Sequence, residues 1–205
     1  MWALVEDNAV TKVFTRPKAL TLGDNQYPAN IFSLWSSSEL EAIGIYEVVI
    51  DNTNLKNEKY YINTNQSFAF ASGTVTASYG TATAKPIADT LYTEQNKTDG
   101  VIPGDKDVGD VAIEGLKTIK KKIIDNQCAG LLAPSDWMAT KAFEEGGDVE
   151  SGWKTWRASV RTKCNSMQTQ INNAANVDAL AALFIYTEQE DKSFTRPLGE
   201  FPIKE

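Results

Sequence analysis

Hydrophobic and polar residues alternate along the first hundred positions, and turn-forming residues interrupt this alternation at short intervals. A period of two is typical of strands that bury one face and expose the other. It predicts strands at residues 1–6, 10–14, 46–50, 59–63, 67–71 and 74–83. The last of these has small side chains on both faces, and we expect it to pack on a shallow surface or against the backbone or sheet of a partner.

One short helix is predicted within this β-rich region. Ser36 and Glu39 have the spacing of a capping box, in which the serine side chain and the glutamate carboxylate each accept a backbone N–H. Gly44 follows, and glycine readily adopts the left-handed conformation that ends a helix.

The hydrophobic period changes to 3.6 after residues 101–109, a segment rich in glycine, proline and aspartate that is typical of a linker. A first long helix is predicted from Val111 to Leu132, ended by Pro134, and a short helix follows. The next helix has one continuous apolar stripe: Trp153, Trp156, Val160, Cys164, Met167 and Ile171. We predict a final helix capped by Asn176.

These patterns predict an α+β chain. It consists of a β-rich domain (1–100), a linker (101–109), a helical domain (110–190, a hairpin or small bundle) and an extended tail (191–205). The tail contains Pro197 and Pro202 and lacks a sustained helix or strand pattern. We expect it to become ordered by docking on a neighbouring protein.

The 205 residues include no histidine, which excludes Ser-His-Asp triads, Cys-His dyads and histidine-ligated metals. Ser151 and Lys154 match an S-x-x-K motif, but its supporting S-D-N and K-T-G elements are missing. Asp105, Asp107 and Asp110 fail the calcium-loop spacing at positions 5, 6 and 12. We therefore predict no enzyme, no catalytic residue, no cofactor and no metal.

Four carboxylates surround Gly146–Gly147, and paired carboxylates can hydrolyse glycosides. Helix starts also attract acids, which favours a structural explanation here. The four residues are Glu144, Glu145, Asp148 and Glu150.

The net charge of −7 opposes binding to nucleic acids. The basic run Lys117, Lys120, Lys121 and Lys122 has the spacing of a solvated helix face. The sequence predicts no membrane partner, because no apolar run spans about 18 residues and the N-terminus lacks signal-peptide features. Cys128 and Cys164 form no C-x-x-C motif and are typical of small apolar fillers on helices.

A motif of aromatic, acidic and basic residues crosses the helical domain. Its residues are Leu131, Leu132, Ser135, Asp136 and Trp137, then Trp153, Trp156, Arg157, Val160 and Arg161. We expect Ser135 or Asp136 to cap the short helix. The three tryptophans are predicted to share one core. Arg157 and Arg161 lie one turn apart and can pair with Asp136 or with the carboxylates near Gly146–Gly147.

This motif resembles that of the phage tail assembly chaperone family, L-L-x-x-[ST]-D-W followed by W-x-x-[YW]-R-x-x-[LV]-R. The match covers about residues 125–165, and Trp156 stands where tyrosine is commoner. The β-rich half resembles, less specifically, the small modules that begin tail-fibre-associated phage proteins.

The resemblance implies a non-enzymatic tail protein that binds a tail or tail-fibre partner. It would act as an assembly factor or as a permanent virion component, in several copies around the tail axis. It would lie in the virion tail, or in the host cytoplasm during assembly. The alternative is a carbohydrate- or receptor-binding module of a tail fibre, which an exposed Trp2 or Trp35 over a groove would favour.

Overall fold

The computed structural model describes residues 1–204 and confirms an α+β fold, with 35% helix and 24% strand. The strands are β1 Trp2–Glu6, β2 Ala9–Phe14, β3 Leu20–Leu22, β4 Asn25–Tyr27, β5 Ile45–Asp51, β6 Tyr61–Ile62, β7 Gln66–Ala71, β8 Thr74–Tyr79, β9 Thr83–Ala84, β10 Thr90–Leu91, β11 Val111–Ile113, β12 Thr187–Glu188 and β13 Phe194–Thr195. The helices are α1 Ile31–Leu34, α2 Ser37–Glu41, α3 Glu94–Thr98, α4 Leu116–Leu132, α5 Asp136–Glu144, α6 Ser151–Asn173 and α7 Val177–Ala182, with a 3-10 turn at Ala133–Ser135 between α4 and α5.

By its internal contacts the chain divides into a first unit, Met1–Thr83, and a second unit that begins at Ala84. The first unit contains a five-stranded sheet in the order β2-β1-β5-β8-β7. The hairpins β1–β2 and β7–β8 turn at Asp7–Asn8 and Ser72–Gly73. All four turn residues have positive φ, as a two-residue type I′ turn requires.

The sheet of the first unit has an apolar cluster on each face. Leu4, Phe14 and Ile45 pack with Ile31, Phe32 and Leu40 from α1 and α2. On the opposite face, Ala3 and Val48 pack with Val75 and Ala77. Successive residues Ala3 and Leu4 therefore enter different clusters, as the alternation predicts.

The capping box of α2 is confirmed, because Ser36 Oγ accepts from the Glu39 amide and Glu39 Oε2 accepts from the Ser36 amide at 2.7 Å. Gly44 follows with φ +79°. A Cβ there would lie 2.9 Å from the carbonyl oxygen of Val5, so glycine satisfies both the conformation and the close approach.

Strand β8 lies in the interior of the sheet. It pairs in parallel with β5 and antiparallel with β7, so both of its backbone edges are occupied. Another protein's strand therefore cannot pair with β8, and the strand predicted over residues 74–83 ends at Tyr79. The sheet ends at β2 and β7, whose Cα atoms come within 8 Å of each other.

The helical unit is built on a hairpin of α4 and α6. Lys117 Nζ donates to the Asn172 carbonyl at 2.7 Å, and Arg157 donates to the Leu132 carbonyl at 2.9 Å, so the helices run antiparallel. Their buried apolar side chains are Leu116, Ile124, Cys128, Val160, Cys164, Met167 and Ile171. None of the helices within residues 1–204 is long and apolar enough to cross a membrane.

The division after Thr83 falls earlier than the predicted boundary at residue 100. Asp89 accepts hydrogen bonds from the Gly115 amide at 2.7 Å and the Thr118 hydroxyl at 2.9 Å. These contacts place residues 84–100 with the helical unit although their local pattern is strand-like. Val111, predicted on the first long helix, lies in β11, which pairs with β10.

The C-terminal segment packs against its own helical unit. Leu198 is fully buried, its amide donates to the Leu183 carbonyl at 3.1 Å, and its carbonyl accepts from Lys163 Nζ at 3.0 Å. The prediction that the tail is ordered by docking on a neighbour is therefore wrong for Leu198. Phe194 and Ile203 remain exposed.

Candidate functional site

The motif residues meet around the buried side chain of Arg157 on α6. Its guanidinium donates to the Leu132 carbonyl at 2.9 Å, to Ser135 Oγ and to Asp136 Oδ1 at 2.5 Å. Burying a cation is costly unless it is paired and hydrogen-bonded, and all three partners lie at the α4–α5 junction. Arg157 therefore fixes the start of α5 against α6, and its predicted pairing with Asp136 is confirmed.

Ser135 has a different role from the predicted one. The residue is fully buried, and its hydroxyl donates to the Leu132 carbonyl at 2.9 Å while accepting from Arg157. Neither Ser135 nor Asp136 caps α5, which has no side-chain cap. The predicted cap is wrong because the hydroxyl is engaged by the preceding turn and by the buried guanidinium.

Trp153 and Trp156 form a half-buried aromatic pair at the start of α6. Their ring centroids are 5.6 Å apart and their planes are nearly perpendicular, at 89°. Trp156 Nε1 donates to the Pro202 carbonyl at 3.0 Å, and Lys204 Nζ lies 5.3 Å from the Trp153 ring centroid. The C-terminal segment therefore contacts both indoles.

Trp137 is 57% exposed, so the prediction that it shares a core with Trp153 and Trp156 is wrong. Helix α5 has nine residues and buries none of its side chains. The next segment, residues 145–150, is not helical, and most of it is exposed.

A cavity of about 330 Å³ lies between α5, residues 145–150 and the start of α6. We call it the Trp137–Trp153 cavity. Apolar side chains contribute much of its wall: Trp137, Met138, Val149 and Trp153. Charged side chains line the rest: Lys141, Glu145, Asp148 and Glu150.

The charged residues of this cavity differ in their partners. Glu145 pairs with Lys141 at 3.8 Å, and Asp148 pairs with Lys154 at 2.9 Å. Glu150 makes no side-chain ion pair or hydrogen bond with any residue in the described range 1–204. The S-x-x-K lysine, Lys154, is thus engaged by Asp148, and the carboxylates line an open aromatic cavity.

The remaining motif residues occupy different environments. Val160 is fully buried in the hairpin, Leu132 is half-buried and Leu131 is 37% exposed. Arg161 is exposed and forms no ion pair with the part of the chain that the structure describes. Its predicted pairing with Asp136 or the nearby carboxylates is therefore wrong.

Three lysines of the basic run on α4 contact other residues of the helical unit. Lys117 binds the Asn172 carbonyl, Lys122 pairs with Glu114, and Lys120 Nζ lies 4.7 Å from the Phe184 ring centroid. In the acidic loop, Asp110 accepts from the Asp107 amide at 2.8 Å. Within residues 1–204 no three histidine, cysteine, aspartate or glutamate side chains group to hold a metal ion.

The two cysteines lie buried in the hairpin. Burial, together with the adjacent Cys128 and Asp125, raises the pKa of the Cys164 thiol to about 12. The thiol thus stays protonated at neutral pH, which suits the predicted role as an apolar filler.

Sequence reasoning missed Pro202 and Lys204, which contact Trp156 and Trp153. A backbone carbonyl carries no side-chain signal, and the contact spans 46 residues of chain, so no local pattern marks it. No family model, curated protein or solved structure matches this chain.

Proposed function

We propose that this chain is a non-enzymatic bacteriophage tail protein that binds a tail or tail-fibre partner through its helical unit. One observation carries the proposal: the motif separates into a buried part and an exposed part. Arg157, Ser135 and Val160 are buried, whereas Trp137 is 57% exposed on the short helix that Arg157 holds in place.

An exposed tryptophan on a fixed support is well suited to protein binding. Tryptophan is enriched among the few residues that dominate binding energy, and positioning by packed neighbours lowers the entropy lost on association. The chain would act as an assembly factor or as a permanent component of the virion. We propose that several copies of it lie around the tail axis.

The alternative, a carbohydrate- or receptor-binding module, would be favoured by an exposed Trp2 or Trp35 over a groove. Trp2 is half-buried with its ring 4.8 Å from Phe32, and Trp35 is half-buried at 5.8 Å from Tyr27. Neither indole offers the free platform that a sugar ring stacks on, so we do not propose this function.

The test is quantitative mass spectrometry of purified virions and of tail intermediates from infected cells. The proposal expects the chain in at least one of these fractions at a fixed ratio to a tail protein. Trp137→Ala should lower that ratio several-fold.

Phe143→Ala is the matched control, because Phe143 is an aromatic residue on the same helix, is 87% exposed and does not line the cavity. Its ratio should equal that of the unmodified chain. Absence of the chain from both fractions would overturn the proposal, and equal ratios for the two variants would remove Trp137 from the binding surface.

A further inference from the structure

We infer that the Trp137–Trp153 cavity receives a lysine or arginine side chain of a partner protein. The inference rests on the proposed function for the partner, while the cation preference rests on the cavity alone. Its volume of about 330 Å³ lies at the lower end of the range for ligand sites, a size that suits a side chain.

The aromatic wall favours a cation. Tryptophan is the strongest aromatic partner for ammonium and guanidinium groups, and two indoles face this cavity. Trp153 already has such a partner within its own chain, since Lys204 Nζ lies 5.3 Å from its ring centroid. Lys204 does not line the Trp137–Trp153 cavity, so it leaves that space to another cation.

The charged wall favours the same occupant. Three carboxylates and one ammonium line the cavity; Glu145 pairs with Lys141 and Asp148 pairs with Lys154, which leaves the carboxylate of Glu150. Glu150 has no ion-pair partner within residues 1–204 and can accept hydrogen bonds from an incoming guanidinium. An acidic side chain would be repelled here, and a purely apolar one would leave this carboxylate unused.

The methylene stem of lysine or arginine fits the apolar part of the wall. Met138 and Val149 line the cavity together with the indoles. A long cationic side chain can bury its stem against such residues while its charged end meets the carboxylates. Neither a short basic group nor an anion makes both kinds of contact.

The experiment compares two short peptides on the full purified chain: acetyl-Gly-Arg-Gly-amide and the same peptide with citrulline, the neutral isostere of arginine. Binding is followed by the ¹⁵N indole signals in NMR spectra, with each tryptophan assigned by substitution. We expect the arginine peptide to shift the Trp137 and Trp153 signals and to bind at least tenfold more tightly than the citrulline peptide. The preference should weaken with added salt.

Matched variants test the two walls separately. Glu150→Gln should weaken arginine-peptide binding at least threefold, whereas Glu144→Gln, which removes a neighbouring carboxylate outside the cavity, should leave it unchanged. Trp137→Ala should weaken binding at least fivefold, and Phe143→Ala should not. Both aromatic positions are exposed, so circular dichroism should show that each variant folds.

Equal binding of the two peptides, or no indole shift at tens of millimolar peptide, would overturn the inference. It would also be overturned if Glu144→Gln weakened binding as much as Glu150→Gln. Mass spectrometry of virions distinguishes this failure from that of the proposed function. If the chain is found in tails but does not bind the arginine peptide, only the cation site is overturned. If it binds the arginine peptide but enters neither virions nor tail intermediates, only the proposed function is overturned.

Discussion

The guanidinium of Arg157 lies 2.5 Å from the carboxylate of Asp136, although 21 residues separate them along the chain. The Arg157 side chain is 8% exposed and that of Asp136 is 62% exposed, so the pair crosses from the hairpin interior to the surface. Because the same guanidinium also binds Ser135 and the Leu132 carbonyl, its removal affects more than one ion pair.

Arg157→Ala should therefore lower the free energy of unfolding by about 2–3 kcal/mol, because buried Ser135 and the Leu132 carbonyl each lose a donor. Urea denaturation measures the change. Arg161→Ala, one turn away and exposed, should stay within about 0.5 kcal/mol of the unmodified chain. Equal effects at the two positions would contradict a structural role for the Arg157 contacts.

Trp153→Ala should lower the free energy of unfolding by about 2 kcal/mol. This is less than the loss of about 3–5 kcal/mol expected on truncating a fully buried aromatic side chain, because the indole is half-buried. The loss includes its edge-to-face contact with Trp156. Trp137→Ala should change the free energy of unfolding by less than about 0.5 kcal/mol. Thermal melting of the two variants compares their losses of stability. A larger decrease in melting temperature for Trp137→Ala than for Trp153→Ala would show that α5 is packed more deeply.

Leu198→Ala should destabilise the helical unit by about 2–5 kcal/mol, because the side chain is fully buried. Ile203→Ala is the control in the same segment, and its 88% exposure predicts a change below about 0.5 kcal/mol. Chemical denaturation followed by far-UV circular dichroism measures the loss of helix. A stable Leu198→Ala chain would mean that the segment detaches freely.

Gly115→Ala should destabilise α4, whereas Gly130→Ala should stabilise it. A Cβ at Gly115 would overlap the backbone carbonyl of Ala88, and backbone atoms cannot rotate away as a side chain can. At Gly130 a Cβ meets nothing within 4 Å, and replacing a helical glycine by alanine contributes up to about 1 kcal/mol. Melting temperatures should move in opposite directions, and a shared direction would contradict the packing of residues 84–100 on α4.

The stability of the chain should fall at alkaline pH, in part through Cys164. Its ordinary pKa of 9.0 applies to the unfolded chain, whereas the folded chain holds the proton until about pH 12. Deprotonation therefore favours the unfolded state as pH rises from about 9 to 12, and the contribution is fully present below pH 9. In unfolding experiments at pH 7 to 11, the free energy of unfolding of Cys164→Ala should decrease less with pH than that of the unmodified chain. An equal decrease in the two chains would contradict the raised pKa.

Local signals predicted the local features of this fold. Ser36 and Asn176 cap their helices as their spacing indicates. The apolar residues Val160, Cys164, Met167 and Ile171 lie buried on one face of α6. Each of these depends on residues within one or two turns, where backbone geometry decides the outcome.

Features that depend on distant segments were not predictable in this way. Trp137 has the spacing of a core residue in the sequence, yet its side chain is 57% exposed and α5 buries no side chain. Leu198 lies in a proline-bearing segment without periodicity, yet the Leu183 carbonyl and Lys163 hold it in place.

The fully buried position of Leu198 also constrains the order of events during translation. The sheet of the first unit uses residues up to Tyr79, so it can close while later residues are still being added. The α4–α6 hairpin must wait for residue 198 before its core is complete, on the order of ten seconds later at ordinary synthesis rates. During that interval the aromatic pair on α6 lacks the contacts of Pro202 and Lys204.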